Sequence, residues 1–476
     1  MDDAARAEPP LVVDLDDTLV RTDLLYEGLL THLGQQPGDL RRLPGWLASG
    51  KAGFKRRLAE RASPKIETLP LNSDVVAQIE ASRAVGQRVV LVTASDQIYA
   101  DQVAERLGLF DEVHGSDGQR NLGGAEKARF LEERFGRGGY DYIGDSKRDL
   151  PVWAAGRHAY TVGRAQRLSV SAGGEVKPLG GPSPRGAWLR AIRPHQWLKN
   201  ALIAVPMLTA FQLEATTLAM VLVAFVCFSL TASSVYLIND LLDLADDRRH
   251  PRKSKRPFAA GDLGIRDGLL LAAGLIVSAF SLALVAMPLG FIAVLGIYYA
   301  ATFAYSLALK RRSVLDVCTL AGLYSMRVIA GGVATGIHLS PWLLAFSMFI
   351  FLSLAAVKRQ AEMTDLLNTD PTRKTGRPYE VEDLPVIRSI AMSAGYASVL
   401  VMALYVNSSE AISRLAVPEA IWLICPLLLY WVTRMVLVTH RGQMTDDPIV
   451  FAIRDRTSTV VVLLMVGAAA LARVGW

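Results

Sequence analysis

The sequence predicts a two-part protein: an α/β domain with a small helical cap over residues 1–170, then an all-α polytopic membrane domain of nine transmembrane helices over residues 187–476. Three observations predict it. Short apolar runs that end in polar residues, LVVDLDDTLV at 11–20 and RVVLVTAS at 88–95, read as buried strands that deliver side chains from their C-terminal ends. Residues 171–186, beginning SAGGEVKPLGGPSPR, concentrate Gly, Pro and Ser without apolar periodicity and read as a flexible linker. From Arg193 onward the composition turns hydrophobic, in stretches close to the roughly 20 residues that a bilayer core requires.

In the first part, Asp14 and Asp16 leave the same side of an extended strand, and the turn after them can separate their roles. One can attack phosphorus while the other handles a proton. Thr93 and Ser95 end the second run, Lys127 follows in GGAEKARFL, and YDYIGDSKRD carries Asp145 and Asp149. Each fragment alone is common. In this order and spacing the set resembles the four motifs of haloacid-dehalogenase-type phosphohydrolases, over residues 11 to about 163. The resemblance implies a Rossmann-like domain in which Asp14 is the nucleophile that forms an aspartyl phosphate and Asp16 the general acid and base. It makes Thr93 and Lys127 the phosphate holders, and Asp14, Asp16, Asp145 and Asp149 the magnesium site. The chemistry is consistent, because a carboxylate can attack an anionic phosphate only once a cation and a lysine screen the charge. Residues 22–72, with helical spacing in LLYEGLLTHL, read as the cap; its basic stretch Lys51, Lys55, Arg56 and Arg57 reads as a solvated helix face, with a face towards substrate phosphate or lipid head groups as the alternative.

The formal charge of +6 says little until it is located, and no nucleic-acid partner is expected. Cys227, Cys318 and Cys425 all lie in apolar segments without metal or redox spacing, so disulfides are not expected. The opening MDDAARAEPP lacks a basic and then apolar start, so a cleavable signal peptide is not expected either.

The nine spans centre on 198–214, 217–238, 266–286, 288–308, 313–335, 340–357, 386–406, 417–438 and 457–474. The connections after the second, fourth, sixth and eighth are basic: His250 to Arg256, Lys310 to Arg312, Lys358 to Arg388 and Arg434 to Arg456. By the positive-inside rule these face the cytoplasm of an inner membrane. Nine spans then leave the N-terminal domain inside and Trp476 outside.

The stretch Asn239 to Gly261, NDLLDLADDRRHPRKSKRPFAAG, is a knot of acid followed by base. Asn239, Asp240, Asp243, Asp246 and Asp247 are read as continuing a helix from near Leu222, where about 100° per residue puts them within a roughly 120° arc. Carboxylates so placed repel one another unless a hard divalent cation neutralises them, and magnesium with oxygen ligands is the expectation. His250 to Arg256 supplies five basic side chains straight after, suited to the phosphates that such a cation bridges. A diphosphate substrate follows.

The pattern NDxxDxxxD followed by HPxKxxRPxAAG resembles the first aspartate motif of the UbiA-type intramembrane prenyltransferase superfamily. Members that prenylate aromatic rings carry a second aspartate-rich motif after the sixth span. Here that position reads AAVKRQAEMTDL and offers Lys358, Arg359 and Glu362. A site that receives two anionic partners gains from cations there. Together with RPHQWLKN at 193–200, YSLALKR at 305–311, LDVCTLAGLYSMRVIAGG at 315–332 and DDPIVFAIRDR at 446–456, the pattern resembles the decaprenyl-phosphate phosphoribosyltransferase branch. The resemblance implies transfer of 5-phosphoribose from phosphoribosyl pyrophosphate to a polyprenyl phosphate, with the soluble domain removing the 5-phosphate.

In that reading Asn239, Asp243 and Asp247 hold magnesium, with Asp240 or Asp246 as substitute ligand. Lys253 and Arg256 hold phosphate oxygens, Lys358, Arg359 and Lys199 place a second phosphate, and Glu362 touches magnesium or pairs with Lys358. Arg327, inside the fifth span, faces a cavity or an acid such as Asp316. Tyr298, Tyr299, Tyr305 and Trp197 read as interfacial aromatics, and Asp446, Asp447, Arg454 and Asp455 either close over the site or cap the ninth span. The alternative is prenyl transfer from a prenyl diphosphate to an aromatic acceptor, with the phosphohydrolase serving another substrate. The sequence leaves open a homo-oligomer.

Overall fold

The computed structural model describes residues 8–181, 186–369, 378–444 and 447–474. The chain divides into two compact units, residues 1–192 with 236–272, and residues 193–235 with 273–476.

The first unit is built on a six-stranded parallel sheet in the order β3-β2-β1-β4-β5-β6. The strands are β1 (Leu11–Val13), β2 (Val89–Asp96), β3 (Glu112–Ser116), β4 (Asp141–Gly144), β5 (Ala159–Thr161) and β6 (Val176–Pro178). Alternation decides which side chains go where: Leu11, Val13, Val89 and Leu91 pack into one core, and Val12, Val90 and Val92 into another. Both faces of the sheet are covered at its centre, so β1 and the first half of β2 are apolar throughout, as buried parallel strands are. Because β1, β2 and β4 run in register side by side, Asp14, the Thr93–Ser95 end and Asp145 emerge along one edge. The stretch read as a linker is partly strand, since Val176–Pro178 pairs with Ala159–Thr161. Residues 182–185 of it lie outside the described residues.

The cap region is helical, with helices at Leu24–Gln35, Leu43–Leu47 and Gly50–Ala59, and a small core of Trp46, Phe54, Leu58 and Ala62.

Eight helices among the described residues are long and apolar enough to span a membrane: Ala215–Leu242, Ile265–Ala286, Leu289–Arg311, Leu315–Thr335, Pro341–Leu367, Val381–Val406, Pro418–His440 and Arg456–Arg473. The protein is a multi-pass membrane protein. The expected first span, 198–214, is instead a 3-10 stretch, Pro194–Ala204, and a short helix, Val205–Thr209. Pro206 removes a backbone donor inside that segment, which a continuous α-helix over 198–214 would need, and it stands instead at the start of the short helix. In the second unit, Leu284, Val285 and Leu289 leave more than two thirds of their surface exposed, as lipid-facing residues do. Tyr324, Phe351, Trp431 and Val432 fill its interior.

Candidate active sites

At the sheet edge, carboxylate oxygens of Asp14, Asp145 and Asp149 lie within 4.8 Å of one another. Lys127, buried on the helix Ala125–Phe135, reaches Asp14 at 2.8 Å and Asp149 at 3.9 Å. Tyr142 fixes both partners, accepting from Lys127 at 2.9 Å and donating to Asp149 at 2.8 Å. Gly144 leaves the room: a Cβ there would sit 2.8 Å from the Tyr142 ring and 3.0 Å from the Asp149 carboxylate.

Three acids against one ammonium leave uncompensated charge. Burial, reinforced by Asp14 and Asp149, pushes the Asp145 carboxyl up to about 9. Burial likewise lifts Asp14 to about 6, against the pull of Lys127. An all-oxygen donor set with excess negative charge suits a hard divalent cation.

Asp16 lies outside that group. Its oxygens accept from the Leu24 amide at 2.9 Å and the Ser95 hydroxyl at 2.6 Å. Asp17, at φ 54°, turns the chain directly after Asp16. Burial, with Asp23 adding to it, raises Asp16 to about 6, a value that lets a carboxyl give and take a proton near neutrality. Thr93 is fully buried, and its hydroxyl accepts from the Ser95 amide at 3.0 Å.

The cap's basic stretch is not wholly a solvated face. Lys51 and Arg57 are exposed, but Lys55 donates to the Ala94 carbonyl at 2.5 Å and to Asn121 at 2.7 Å, and Arg56 pairs with buried Asp96 at 3.2 Å. Helical spacing could not show this, because the partners lie far along the chain, on the end of β2 and on the loop at Asn121.

The acidic stretch after Ala215–Leu242 differs from the single helical face expected. The helix stops at Leu242, Asp243 starts a second helix at Leu244–Arg249, and Asp246 turns outward to pair with Lys65 at 3.6 Å. Asn239 donates to Asp243 at 3.1 Å, while Arg256 bridges Asp240 at 3.2 Å and Asp247 at 2.6 Å. Burial, with Asp240 adding and Arg256 opposing, lifts Asp247 to about 6. Burial keeps Asp247 raised even with Arg256 and Lys253 lowering it, and clustered oxygen donors of this kind suit a divalent cation here too. Lys253 stands exposed on the turn Lys253–Lys255.

In the second unit, Asp447 gathers Lys199 at 2.9 Å, Lys358 at 3.3 Å and the Tyr324 hydroxyl at 2.8 Å. Burial raises its carboxyl, but the two lysines outweigh that and hold it well below the usual carboxylate range. Arg359 pairs with Asp316 at 2.8 Å and also with Glu362, so Glu362 is held by Arg359. Asp316 is thus committed to Arg359. The Arg327 guanidinium instead meets Asn200 and Tyr298, both at 2.8 Å, and the Leu323 carbonyl at 2.5 Å. Tyr298 is buried and Tyr305 donates to Asp316 at 2.8 Å, so both belong to polar networks rather than to an interface belt. Asp446 lies outside the described residues.

Residues 201–474 match the UbiA prenyltransferase family and residues 11–153 match the haloacid dehalogenase-like hydrolases. An uncharacterized protein of Sinorhizobium fredii, y4nM, is 35% identical over 97% of this chain and 91% of its own length. The decaprenyl-phosphate phosphoribosyltransferase of Mycolicibacterium smegmatis is 33% identical over 62% of this chain and 95% of its own. A solved UbiA homolog from Archaeoglobus fulgidus, bound to GPP and Mg2+, is 15% identical and covers 60% of this chain and 99% of that one at a TM-score of 0.46. The chain belongs to the UbiA prenyltransferase family and carries a haloacid dehalogenase-like hydrolase domain ahead of its membrane part.

Proposed function

We propose that the membrane part transfers 5-phosphoribose from phosphoribosyl pyrophosphate to a polyprenyl phosphate, and that the soluble domain then removes the 5-phosphate to leave polyprenyl-phosphate ribose. The observation that carries this reading is the pair Lys358 and Arg359, cations each matched to an acid, where aromatic prenyltransferases carry acids. The 33% identity to a decaprenyl-phosphate phosphoribosyltransferase supports it.

Leaving-group departure from the anomeric carbon builds positive charge on the ring and negative charge on pyrophosphate, so stabilising the pyrophosphate lowers the barrier most directly. Asn239, Asp243 and Asp247, with Asp240, would hold Mg2+, which when bound supplies countercharge to that leaving group. Arg256, oriented by Asp240 and Asp247, and Lys253 hold phosphate oxygens. Lys199, Lys358 and Arg359 hold the lipid phosphate; Glu362 orients Arg359, and Arg327 fixes Asn200 beside Lys199. The lipid phosphate oxygen bonds to the anomeric carbon as the bond to pyrophosphate breaks. No base is needed, because the acceptor is already ionised.

In the soluble site Asp14, Asp145 and Asp149 would hold Mg2+, which when bound screens the substrate phosphate. The Asp14 carboxylate attacks phosphorus to form an aspartyl phosphate, while Lys127 and Thr93 hold the phosphate oxygens. Asp16 delivers a proton to the leaving 5-oxygen and then withdraws one from the water that hydrolyses the acyl phosphate. In this reading the basic loops are cytoplasmic, and the soluble domain, which contacts the 244–267 stretch, works on the same side.

The test supplies labelled phosphoribosyl pyrophosphate and polyprenyl phosphate to the full chain and to Asp14→Asn. The variant should accumulate a 5-phosphorylated lipid that the parent converts onward. Identical products would remove the soluble domain from the sequence. Failure to label the lipid, together with transfer from a prenyl diphosphate to an aromatic acid, would overturn the transferase assignment.

A further inference from the structure

Arg248 directly follows Asp247, yet it takes no part in the acidic cluster. Its two terminal nitrogens donate to the two oxygens of Glu27, at 2.5 and 3.1 Å, and each side chain leaves at most 5% of its surface exposed. Glu27 also accepts from Thr22 at 2.9 Å. It lies on the first turn of Leu24–Gln35, the helix whose leading amide, that of Leu24, holds Asp16. The Asp17 amide donates to the Thr22 carbonyl at 3.1 Å. Asp16 to Glu27 is therefore one hydrogen-bonded piece, and Arg248 grips its far end.

The surroundings repeat the pattern within the same compact unit. Asp262 accepts from Arg21 at 3.2 Å and Arg190 at 2.8 Å, and Arg164 pairs with Asp267. Gly261, at φ +72°, comes so close that an added Cβ would lie 2.4 Å from the Arg21 Cβ and 2.5 Å from its carbonyl oxygen. These contacts differ in weight. The exposed Lys65–Asp246 pair holds little, whereas a desolvated two-point fork fixes one geometry.

We infer that the Arg248–Glu27 fork is a positioning clamp: it docks the phosphohydrolase domain on the 244–267 stretch that follows the acidic motif and holds the Asp16 turn in its working geometry. The inference rests on the soluble site hydrolysing phosphomonoesters, but on no particular sugar or lipid. A flexible tether would already raise local concentration. A buried fork adds orientation, which a tether cannot.

The test uses the full chain in nanodiscs with Mg2+ and p-nitrophenyl phosphate, a soluble probe that needs no lipid. Glu27→Gln and Arg248→Ala should each lower kcat by about tenfold with KM nearly unchanged, the signature of lost positioning rather than lost ground-state binding. Amide exchange in 24–35 and 244–262 should quicken together. Lys65→Ala should change neither, Arg248→Lys should fall between, and the charge-swapped double variant Glu27→Arg, Arg248→Glu should recover part of kcat. Parent-like kcat and exchange in both single variants would overturn the clamp, as would exchange that quickens over the whole chain with kcat and KM failing together. If the parent leaves the probe intact, that failure falls on the phosphohydrolase reading; the exchange measurement still decides the docking.

Discussion

The ammonium of Lys199 lies 2.9 Å from the carboxylate of Asp447, and both side chains are more than nine-tenths buried. Since Lys358 shares the same carboxylate, Asp447→Ala strands two ammonium groups at once. Thermal unfolding in detergent should show a loss of about 3–5 kcal/mol, the usual cost of breaking a buried pair. Asp455→Ala, which disrupts the more exposed Arg434 pair, should cost less. Equal losses would show that Asp447 does not bear the charge of both lysines.

Lys127 touches Asp14 and Asp149 through one ammonium. Lys127→Met should lower phosphatase kcat by roughly 10²- to 10³-fold, as removing one preorganised charge at a developing anion does. Steady-state hydrolysis of p-nitrophenyl phosphate checks this.

The acids at the sheet edge set a pH dependence. Asp14 at about 6 and Asp145 at about 9 keep protons in the folded, metal-free chain that the unfolded chain has released above about 4. The folded state binds more protons in that window, so stability in chelator should fall as pH rises from about 4 towards 9. Cation binding must displace those protons, so magnesium affinity should rise between pH 6 and 9, with proton release. Calorimetry in buffers of different ionisation enthalpy reads that release. Asp145→Asn should flatten both trends.

Lys55 reaches the Ala94 carbonyl, next to Thr93 on β2, and Asn121 on the loop ahead of the helix that carries Lys127. Lys55→Ala should raise KM for a phosphorylated sugar about tenfold, in line with loss of one charge-assisted hydrogen bond. Initial rates across substrate concentration measure it, and an unchanged KM would return Lys55 to a purely structural place.

Arg256 bridges Asp240 and Asp247, so Arg256→Gln leaves buried carboxylates facing each other. Labelling of lipid from phosphoribosyl pyrophosphate should fall by at least about 100-fold, the scale for loss of a buried charged hydrogen bond in a transition state.

The parallel α/β domain was legible because short apolar runs ending in Asp14, Thr93 and Asp145 leave few other arrangements, and eight of the nine spans because length and hydropathy decide them. The segment 198–214 was misread as a spanning helix since hydropathy does not register where a proline breaks the ladder. Within the sites, the resemblance of the motifs in their order pointed to Asp14, Lys127, Asp145 and Asp149, which the fold brings together. It missed Tyr142, which the chain presents as one more apolar strand residue, and it could not join Asp447 to Lys199 across 248 positions or Glu27 to Arg248 across 221. Such pairings are set by tertiary packing, which leaves no period in the sequence. The outward turn of Asp246 was likewise hidden, because nothing local marks Asp243 as the end of one helix and the start of the next.

The sheet's last strand, Val176–Pro178, is only three residues long and carries Lys177 beside a proline that has no amide hydrogen to offer. A foreign chain seeking to extend the array would find an ammonium group and a missing donor at that rim, so this side of the domain is guarded against self-association through main-chain pairing.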